Sequence, residues 1–348
     1  MQTPAPVRVV LIGVGGIGDY HVRQWQKIPG AELVGIYDMS AKIARTVADK
    51  YGVKQVFESL EAALAEPNLD AVDVCTPNHA HAPTVVAALD AGKHCICEKP
   101  LAATAAEIEQ MIEARDRSGK LLMTAQHLRF EHPALALKKL IDAGDLGDIY
   151  YGRAWWLRRR MAPTSPGLMA KAQGIHGPGL DIGVHVLDLA MHFMGHPEPV
   201  SVSGHSVRQL AHQPDIGNQW GTYQPADYEV EDLATAFIRF AGGAVLSLEA
   251  SWLLNMREPE VRAVHLFGTR GGACWPDMTV NQVRHGLLLD TQVASHDDVP
   301  GHRTELAAFA DAVRTGGPSP VPAEQSLRVA RILEALYASA DAGREIRL

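Results

Sequence analysis

A glycine-rich turn between an apolar strand and a helix constrains the fold of this chain more than any other feature. The segment Gly13–Gly18 has the spacing G-x-G-x-x-G and directly follows the apolar run Val7–Ile12. In this motif the first glycine permits a tight turn, the second lets a pyrophosphate approach the backbone, and the third lets the helix pack on the strand. The predicted dinucleotide-binding residues of the turn are Gly13, Gly15, Gly16, Ile17 and Gly18.

The end of the second predicted strand bears on the identity of the dinucleotide. Asp38 stands 20 residues after Gly18, where a carboxylate can bind the hydroxyls of the adenosine ribose. A carboxylate there would repel a 2′-phosphate, and the following Met39 and Ser40 supply no compensating arginine. We therefore expect NAD rather than NADP as the cofactor. The alternative is that the glycines form an ordinary turn.

Strand and helix patterns alternate from the N-terminus to residue 126. Such alternation predicts an α/β fold with a doubly wound parallel sheet and right-handed crossovers. Continuous apolar strands also fit a sheet that is covered on both faces. We predict a Rossmann domain over residues 1–126. Its predicted strands are Val7–Ile12, Glu32–Tyr37, Gln55–Phe57, Ala71–Cys75, His94–Cys97 and Leu121–Ala125.

The pattern changes after this point, and residues 127–348 are predicted to form a second, α+β domain. Strand patterns follow one another with few helices between them, which indicates a mostly antiparallel sheet. Gly242-Gly243 suits a hairpin turn between two of these strands. The predicted strands are Tyr150–Leu157, Val200–Gln209, Leu233–Phe240, Ala244–Trp252, Arg262–Phe267 and Leu287–Val293. The predicted helices are Pro133–Ala143, Leu180–Met194, Glu305–Arg314 and Ala323–Ala342.

Bulk composition narrows the class of protein. The chain has 32 Lys and Arg against 40 Asp and Glu, a formal net charge of −8, which argues against a general nucleic-acid or anionic-membrane binder. No run of about 18 apolar residues predicts a membrane span, and no signal-peptide pattern precedes the first strand. The four cysteines lack zinc-finger spacing, and reduced thiols are expected. A cytoplasmic location follows as an expectation, with no metal centre.

Two predicted strands end in polar residues that should border a bound dinucleotide. In an open α/β sheet, ligands bind outside the carboxyl ends of the strands. Thr76, Pro77, Asn78 and His81 follow the strand that ends at Cys75, and we expect them to contact the cofactor. The alternative is that Thr76 or Asn78 caps the following helix, and both can hold together.

Lys99 follows another of these strands, within the tripeptide Glu98-Lys99-Pro100. Its position places a cation where the reactive end of the dinucleotide should lie. A lysine there can polarise a substrate oxygen or pass a proton. Glu98 and Lys99 are therefore also expected to border the cofactor.

Asp181 and His185 lie four residues apart in the helix predicted over Leu180–Met194, a spacing that puts both on one face. Asp188 and His192 extend the stripe. Three interpretations stay open: an acid/base pair in a cleft, a metal site, or a solvated face. The apolar residues around the pair favour the acid/base interpretation over a solvated face, and no further metal ligand stands out.

Together these motifs resemble the Gfo/Idh/MocA family of oxidoreductases, named after glucose–fructose oxidoreductase and inositol dehydrogenase, over nearly the full length of the chain. The carrying motifs are Gly13–Gly18 with Asp38, Cys75-Thr76-Pro77-Asn78 with His81, Glu98-Lys99-Pro100, and Asp181-Ile182-Gly183-Val184-His185 with Asp188. The resemblance implies a second domain with an open-faced sheet, homodimers or homotetramers formed through that sheet, and a Lys99–Pro100 peptide that is often cis. It also makes Lys99, Asp181 and His185 the catalytic residues.

The expected activity is reversible hydride transfer between nicotinamide and a secondary hydroxyl of a sugar, glycoside, anhydrosugar or cyclitol. Two other functions stay open. One is an NAD-dependent glycosidase or lyase that oxidises its substrate transiently, and the other is a non-catalytic sensor of dinucleotides or sugars. The expected partner in each case is a small sugar or polyol.

Substrate contacts are predicted from the start of the second domain. His127 and Arg129 follow the last Rossmann strand, and Trp156 and Arg158 stand at the end of a strand before the long loop 158–179. A tryptophan beside polar donors suits a sugar ring, whereas the run Arg158–Arg160, with Lys171 in the loop, could instead recognise a carboxylate or phosphate. Interface salt bridges are the alternative role of the basic run.

Overall fold

The computed structural model describes residues 5–170, 176–294 and 296–348. The chain forms two compact units, Met1–Phe130 with Val299–Leu327 and Glu131–Asp298 with Arg328–Leu348. These units differ from the predicted division at 126/127 because a late segment of the chain belongs to the first unit. Among the described residues, no helix is long and apolar enough to cross a lipid bilayer.

The first unit is built on a six-stranded sheet whose paired strands are all parallel. Its strand order is β3-β2-β1-β4-β5-β6. The order reverses between β1 and β4, which is the switch point at which such folds bind dinucleotides. The predicted Rossmann sheet is confirmed. The strands are β1 Val7–Ile12, β2 Ala31–Tyr37, β3 Gln55–Val56, β4 Ala71–Val74, β5 His94–Cys97 and β6 Leu122–Thr124.

The helices of this sheet are defined by local sequence at both ends. Before α5, Thr104 and Glu107 form a reciprocal capping box, which satisfies amide groups of the first turn. Gly119 ends the same helix in the left-handed conformation. Between the strands lie α1 Gly16–Trp25, α2 Ala41–Tyr51, α3 Leu60–Leu64, α4 His81–Asp90 and α5 Ala105–Ser118.

A later helix completes the core of the first unit. Helix α9, Gly301–Thr315, buries Leu306 and Phe309 in the same cluster as the β1 side chains. The Phe309 ring meets Trp25 edge-on, with 6.4 Å between ring centroids. A helical pattern in the sequence does not reveal which sheet it covers, so this return of the chain was not predicted.

The second unit contains a nine-stranded sheet of order β14-β13-β12-β11-β7-β10-β9-β8-β15. Every neighbouring pair is antiparallel except β7 and β10, which are parallel, so the predicted mostly antiparallel sheet is confirmed. The strands are β7 Ile149–Arg158, β8 Pro199–Val207, β9 Leu233–Phe240, β10 Val245–Ser251, β11 Glu260–Gly268, β12 Gly271–Trp275, β13 Thr279–Arg284, β14 Leu287–Gln292 and β15 Ile346–Arg347.

Strands β12, β13 and β15 were not predicted. β12 opens with two glycines, which are poor strand formers, and it is followed by Pro276, so its sequence looks like a turn. Pairing along β11 supplies the stability that the local sequence lacks. The predicted Gly242-Gly243 hairpin is confirmed, because both glycines have positive φ between β9 and β10.

Within the described residues, four helices and one π-helical turn belong wholly or mostly to the second unit. The predicted loop 158–179 contains a short helix. The helix predicted over 180–194 begins with a π-helical turn and continues as an α-helix. Strand β7 buries alternate side chains, including Ala154 and Trp156, on one of its faces. The elements are α6 His132–Asp142, α7 Pro166–Met169, the π-helical turn Gly179–Gly183, α8 Val184–Phe193 and α10 Ala323–Ala342.

Candidate active site

The glycines of the turn fall into two groups, those packed against the protein and those facing open space. A Cβ on Gly13 would lie 2.8 Å from the backbone carbonyl of Cys75, and one on Gly18 would lie 2.0 Å from the Gly13 oxygen. Those two positions therefore require glycine for packing. At Gly15 and Gly16, in contrast, a Cβ would meet no atom within 4 Å. Because α1 begins here without a side-chain cap, its first amide groups are available to a phosphate.

Asp38 is fixed beside this turn. Its Oδ2 accepts a hydrogen bond of 2.9 Å from the Val14 amide, and its Oδ1 accepts one of 2.8 Å from the Ser40 amide. These bonds orient the carboxylate. A ribose diol can share such an acceptor, whereas a 2′-phosphate would meet its negative charge. The residues present thus fit NAD.

The segment after β4 is organised by His81. The Nε2 atom of His81 lies 2.8 Å from the Thr76 carbonyl oxygen, and Nδ1 lies 2.8 Å from the Pro100 carbonyl oxygen. Burial lowers the pKa of this imidazole. His81 therefore joins the segments that follow two neighbouring strands, and its contact with the cofactor stays a prediction.

The capping alternative for Thr76 and Asn78 is not found. Residues Asn78–Ala80 form a 3₁₀ turn that starts after Pro77, and α4 then begins at His81. Neither start carries a side-chain capping bond. The side chains of Thr76 and Asn78 are half-buried at the carboxyl end of β4, and their proposed role at the cofactor is untested.

Glu98 and Lys99 follow β5 directly, and the Lys99–Pro100 peptide is cis. Glu98 is buried, and its Oε2 accepts a 2.9 Å hydrogen bond from the Lys99 amide. Its Oε1 lies 3.1 Å from Nε2 of the fully buried His21. On the other side of the imidazole, Nδ1 lies 2.9 Å from Asp73, which also accepts a 2.7 Å bond from the Trp25 indole.

The charges of this cluster stabilise one another. Burial acts to raise the pKa of Glu98, but the hydrogen bond and charge of His21 outweigh it and lower that pKa to about 2. Burial acts to lower the pKa of His21, yet the Asp73 carboxylate contributes to holding it well above its usual range. Lys99 thus follows an ionised carboxylate that is held by a protonated imidazole.

Two residues of α9 complete this buried cluster. Burial, reinforced by the charge of Glu98, raises the pKa of Glu305 well above its usual range, so this carboxyl is neutral. Burial lowers the pKa of His302 to about 4. The ligand atoms of His21, Glu98, His302 and Glu305 lie within 4.8 Å of one another, but a protonated His21 and a neutral Glu305 are poor ligands for a cation. Sequence reading missed the cluster because its members are spread over 285 residues.

The two substrate residues predicted after β6 are well packed. The His127 ring stacks on His302, with 3.9 Å between centroids and 13° between planes. Arg129 is buried and donates a 2.6 Å hydrogen bond to Gln325. Both side chains therefore have fixed positions within the first unit, and their contact with substrate stays a prediction.

Asp181 lies in the π-helical turn, and His185 lies in the first turn of α8. π-Helical segments are frequent at functional sites. The Trp252 indole donates a 3.2 Å hydrogen bond to the Asp181 carboxylate. His185 is buried, with its ring 5.6 Å from that of Trp156. Within residues 5–170, 176–294 and 296–348, neither cluster of possible metal ligands includes Asp181 or His185, so the metal interpretation gains no support there.

The π-helical turn is anchored by a buried carboxylate that sequence reading missed. Glu231 accepts a 2.8 Å bond from the Gly177 amide and a 2.7 Å bond from the Tyr337 hydroxyl. The Gly177 carbonyl in turn accepts a 3.0 Å bond from the Asp181 amide. Burial raises the pKa of Glu231, against the opposing effect of the Tyr337 bond. Its neighbour Asp232 accepts the Trp252 amide at 3.2 Å through its carbonyl oxygen.

Trp156 and Arg158 share one carboxylate. The Trp156 indole and the Arg158 Nε each donate a 2.7 Å hydrogen bond to Glu260 Oε1. Two guanidinium groups lie near the Trp156 ring, Arg158 at 5.3 Å and Arg262 at 5.1 Å from its centroid. Glu260 and Arg262 were not predicted as site residues. Both lie on β11, the strand that pairs with β7.

The remaining arginines of the basic run make structural contacts. Arg160 donates to the backbone carbonyls of Ile216 at 3.0 Å and Leu254 at 2.8 Å, and Arg159 donates to the Arg257 carbonyl at 3.4 Å. These bonds attach neighbouring loops to the end of β7. Lys171, the remaining basic residue of the predicted loop, lies outside the described residues.

Comparison with protein families identifies the chain. The model described as "Oxidoreductase family, NAD-binding Rossmann fold" matches residues 7–126, and the GFO/IDH/MocA C-terminal domain matches residues 134–274. The chain belongs to the Gfo/Idh/MocA oxidoreductase family. The resemblance drawn from the sequence motifs is thereby confirmed, together with the NAD-binding Rossmann domain.

Similar proteins act on sugars. D-glucoside 3-dehydrogenase of Escherichia coli K12 is 33% identical over 348 residues, covering 100% of this chain and 99% of that protein. Levoglucosan dehydrogenase of Pseudarthrobacter phenanthrenivorans is 32% identical, covering 86% and 79%. A solved levoglucosan dehydrogenase, in complex with NADH and levoglucosan, superposes with a TM-score of 0.85 at 25% identity, covering 98% and 99%. Neither the lyase nor the sensor alternative gains support from these relatives.

Proposed function

We propose that the protein is an NAD-dependent dehydrogenase that oxidises a secondary hydroxyl of a sugar, glycoside, anhydrosugar or cyclitol, or catalyses the reverse reduction. The observation that carries the proposal is the Glu98-Lys99 pair at the carboxyl end of β5, two strands along the sheet from a glycine turn that suits a pyrophosphate. The sugar dehydrogenases named above, similar over most of this chain, support the substrate class.

The proposed residue roles follow from charge and position. When bound, NAD supplies the hydride acceptor. His185 takes the proton of the reacting hydroxyl, a role that suits an imidazole. Lys99 donates a hydrogen bond to the reacting oxygen and stabilises the charge that develops on it. Asp181, held by the Trp252 indole, orients His185 or binds a neighbouring hydroxyl.

The proposed cofactor and substrate contacts are those given by the sequence. The cofactor set comprises Gly13, Gly15, Gly16, Ile17, Gly18, Asp38, Thr76, Pro77, Asn78, His81, Glu98 and Lys99. The substrate set comprises His127, Arg129, Trp156 and Arg158. The sharing of Glu260 by Trp156 and Arg158 supports a rigid aromatic and cationic surface for a sugar ring.

A panel of polyols, sugars and glycosides tests this function. Each compound is incubated with enzyme and either NAD or NADP, and reduced cofactor is followed at 340 nm. We expect turnover with at least one glycoside or cyclitol and a preference for NAD, because Asp38 opposes a 2′-phosphate. Absence of turnover across a panel that binds saturably would contradict the proposal.

We further propose that two or more copies associate through the sheet of the second unit. Exposed apolar side chains support this, since Val283, Leu287 and Leu288 are 63%, 64% and 86% exposed on β13 and β14. Leu288→Lys should lower the molar mass measured by light scattering. An unchanged mass, or a monomeric wild-type protein, would contradict the association.

The proposed location is the cytoplasm. All four cysteines are free, and Cys75, Cys95 and Cys97 are buried in the first unit. Unpaired thiols persist in a reducing compartment. Fractionation of the producing cell would test the location.

A further inference from the structure

An exposed tryptophan lies over one of the proposed substrate residues. Trp220 is 49% exposed, and the Arg158 guanidinium lies 4.7 Å from its ring centroid. Arg158 is itself buried and is held by Glu260 at 2.7 Å. The exposed ring therefore rests on a fixed cation, which gives it a defined orientation.

The segment that carries Trp220 is attached firmly to the end of β7. The Asn218 side chain accepts from the Ala162 amide at 3.0 Å and donates to the Ala162 carbonyl at 2.9 Å. The Gln219 amide donates to the Arg160 carbonyl at 2.9 Å. Bonds on the residues directly before Trp220 hold it in place, although half of its apolar surface stays in water. The apolar face of the indole is therefore presented to solvent in a defined position, as a site that stacks a ligand ring requires.

Two ring contacts connect this surface to the proposed catalytic histidine. The Arg158 guanidinium lies 5.3 Å from the Trp156 centroid, and the Trp156 ring lies 5.6 Å from the His185 ring. A sugar ring whose hydroxyl reacts at His185 would lie near Trp156. The same guanidinium lies 4.7 Å from the Trp220 centroid, so Arg158 links the proposed position of this sugar ring to the exposed indole.

We propose that Trp220 and Arg158 form an outer subsite for the second ring of a glycoside. The inference rests on the proposed sugar dehydrogenase function and deepens it, because it selects two-ring glycosides among the possible substrates. The apolar face of a pyranose packs on the exposed face of the indole, which the Arg158 guanidinium holds in a fixed orientation. The oxidised ring is the inner one, so the outer ring contributes binding alone.

Steady-state kinetics with two glucosides that differ by one ring test the subsite. Methyl β-D-glucoside and cellobiose are compared with wild type, Trp220→Ala and Trp220→Phe. We expect Trp220→Ala to raise the ratio of the cellobiose KM to the methyl glucoside KM roughly 3- to 10-fold, with little change in the ratio of kcat values. Trp220→Phe should restore most of the lost discrimination, since it retains an aromatic face.

Trp155 provides a matched control, because it also stacks against an arginine, Arg153, at 4.8 Å, on the opposite face of β7. Trp155→Ala should leave the KM ratio unchanged. An unchanged ratio in Trp220→Ala would overturn the subsite. Calorimetric binding of both glucosides separates the two proposals: binding that depends on Trp220 without turnover contradicts the dehydrogenase function and retains the subsite.

Discussion

The two sheets of this protein solve the problem of burial in different ways. In the parallel sheet, consecutive residues of β1 such as Val9, Val10 and Leu11 are all buried, because helices cover both faces. In the second sheet, β7 buries every other side chain, so that Ala154 and Trp156 are buried while Arg153 is exposed. When helices cover both faces of a sheet, functional side chains can reach a ligand only from the loops at the strand ends. When one face is left uncovered, side chains along the strands can also contact a ligand or another subunit.

The two units also hold their buried charges differently. In the first, Asp73, His21 and Glu98 pair through side chains. In the second, Asp232 Oδ2 accepts three backbone amides, at 3.0, 2.7 and 2.8 Å, and Glu231 accepts the Gly177 amide. The side-chain pairs of the first unit shift the pKa of Glu98, the residue before Lys99. The backbone bonds of the second unit fix the chain near Asp181.

The largest expected effect separates the two ends of one strand. Lys99 follows β5, and Lys93 precedes it, where its Nζ donates to the Leu69 carbonyl at 3.0 Å. Lys99→Ala should lower kcat by about 10³-fold because the hydrogen bond to the reacting oxygen and the stabilisation of its charge are lost, while NAD affinity stays close to wild type. Lys93→Ala is the control and should retain turnover. Wild-type kcat in Lys99→Ala would refute its catalytic role.

The side-chain network predicts a large stability effect at Asp73. Asp73→Ala should destabilise the protein by about 3–5 kcal/mol, because it removes the acceptor of two buried donors, His21 Nδ1 and the Trp25 indole. Urea unfolding measures the change. Asp90, which pairs with Arg117 at 3.1 Å on the surface, is the control, and Asp90→Ala should cost less than about 1 kcal/mol. Similar losses for both variants would show that burial does not set the strength of the network.

The same network predicts acid sensitivity. His302 has a pKa of about 4 in the folded protein against 6.5 unfolded, so the unfolded chain takes up its proton first as pH falls. The stability from neutral His302 is complete above pH 6.5 and is lost towards pH 4, about 2–3 kcal/mol by pH 4.5. His302→Phe should remove this slope.

The pH dependence of stability is measured from the free energy of unfolding at pH 7.5 and 4.5. Wild type is compared with His302→Phe. His79→Phe, at an exposed position of the same unit, is the control. Equal pH dependence in all three proteins would contradict the assignment to His302.

A smaller loss of activity is expected from the carboxylate of Glu231, which fixes the backbone before the π-helical turn. Glu231→Ala removes the acceptor of the Gly177 amide and should displace the turn that carries Asp181. We expect kcat to fall about tenfold, with NAD affinity unchanged. Tyr337→Phe keeps the bond between Glu231 and the Gly177 amide, and its kcat should fall less. A larger loss in Tyr337→Phe than in Glu231→Ala would show that the hydroxyl, rather than the Gly177 bond, positions the turn.

Much of the first unit could be predicted from the sequence because its information is local. The glycine spacing, the apolar strands and the position of Asp38 lie within about 40 residues and suffice for the Rossmann fold and its cofactor class. In the second unit, β12 escaped prediction because its first residues, Gly271 and Gly272, are poor strand formers that pair only where β11 and β13 flank them. The π-helical start of α8 was missed because periodicity cannot detect one extra residue in a turn.

The sequence by itself determined the family, the dinucleotide fold and the side chains proposed for chemistry, since these depend on residue type and short spacing. Only the tertiary structure decided which distant groups meet. It joined His21 and Asp73 to Glu98, Glu231 to Gly177, and Trp220 to Arg158. Such contacts depend on strand order and loop path, which arise from the packing of the whole unit and leave no local pattern in the chain.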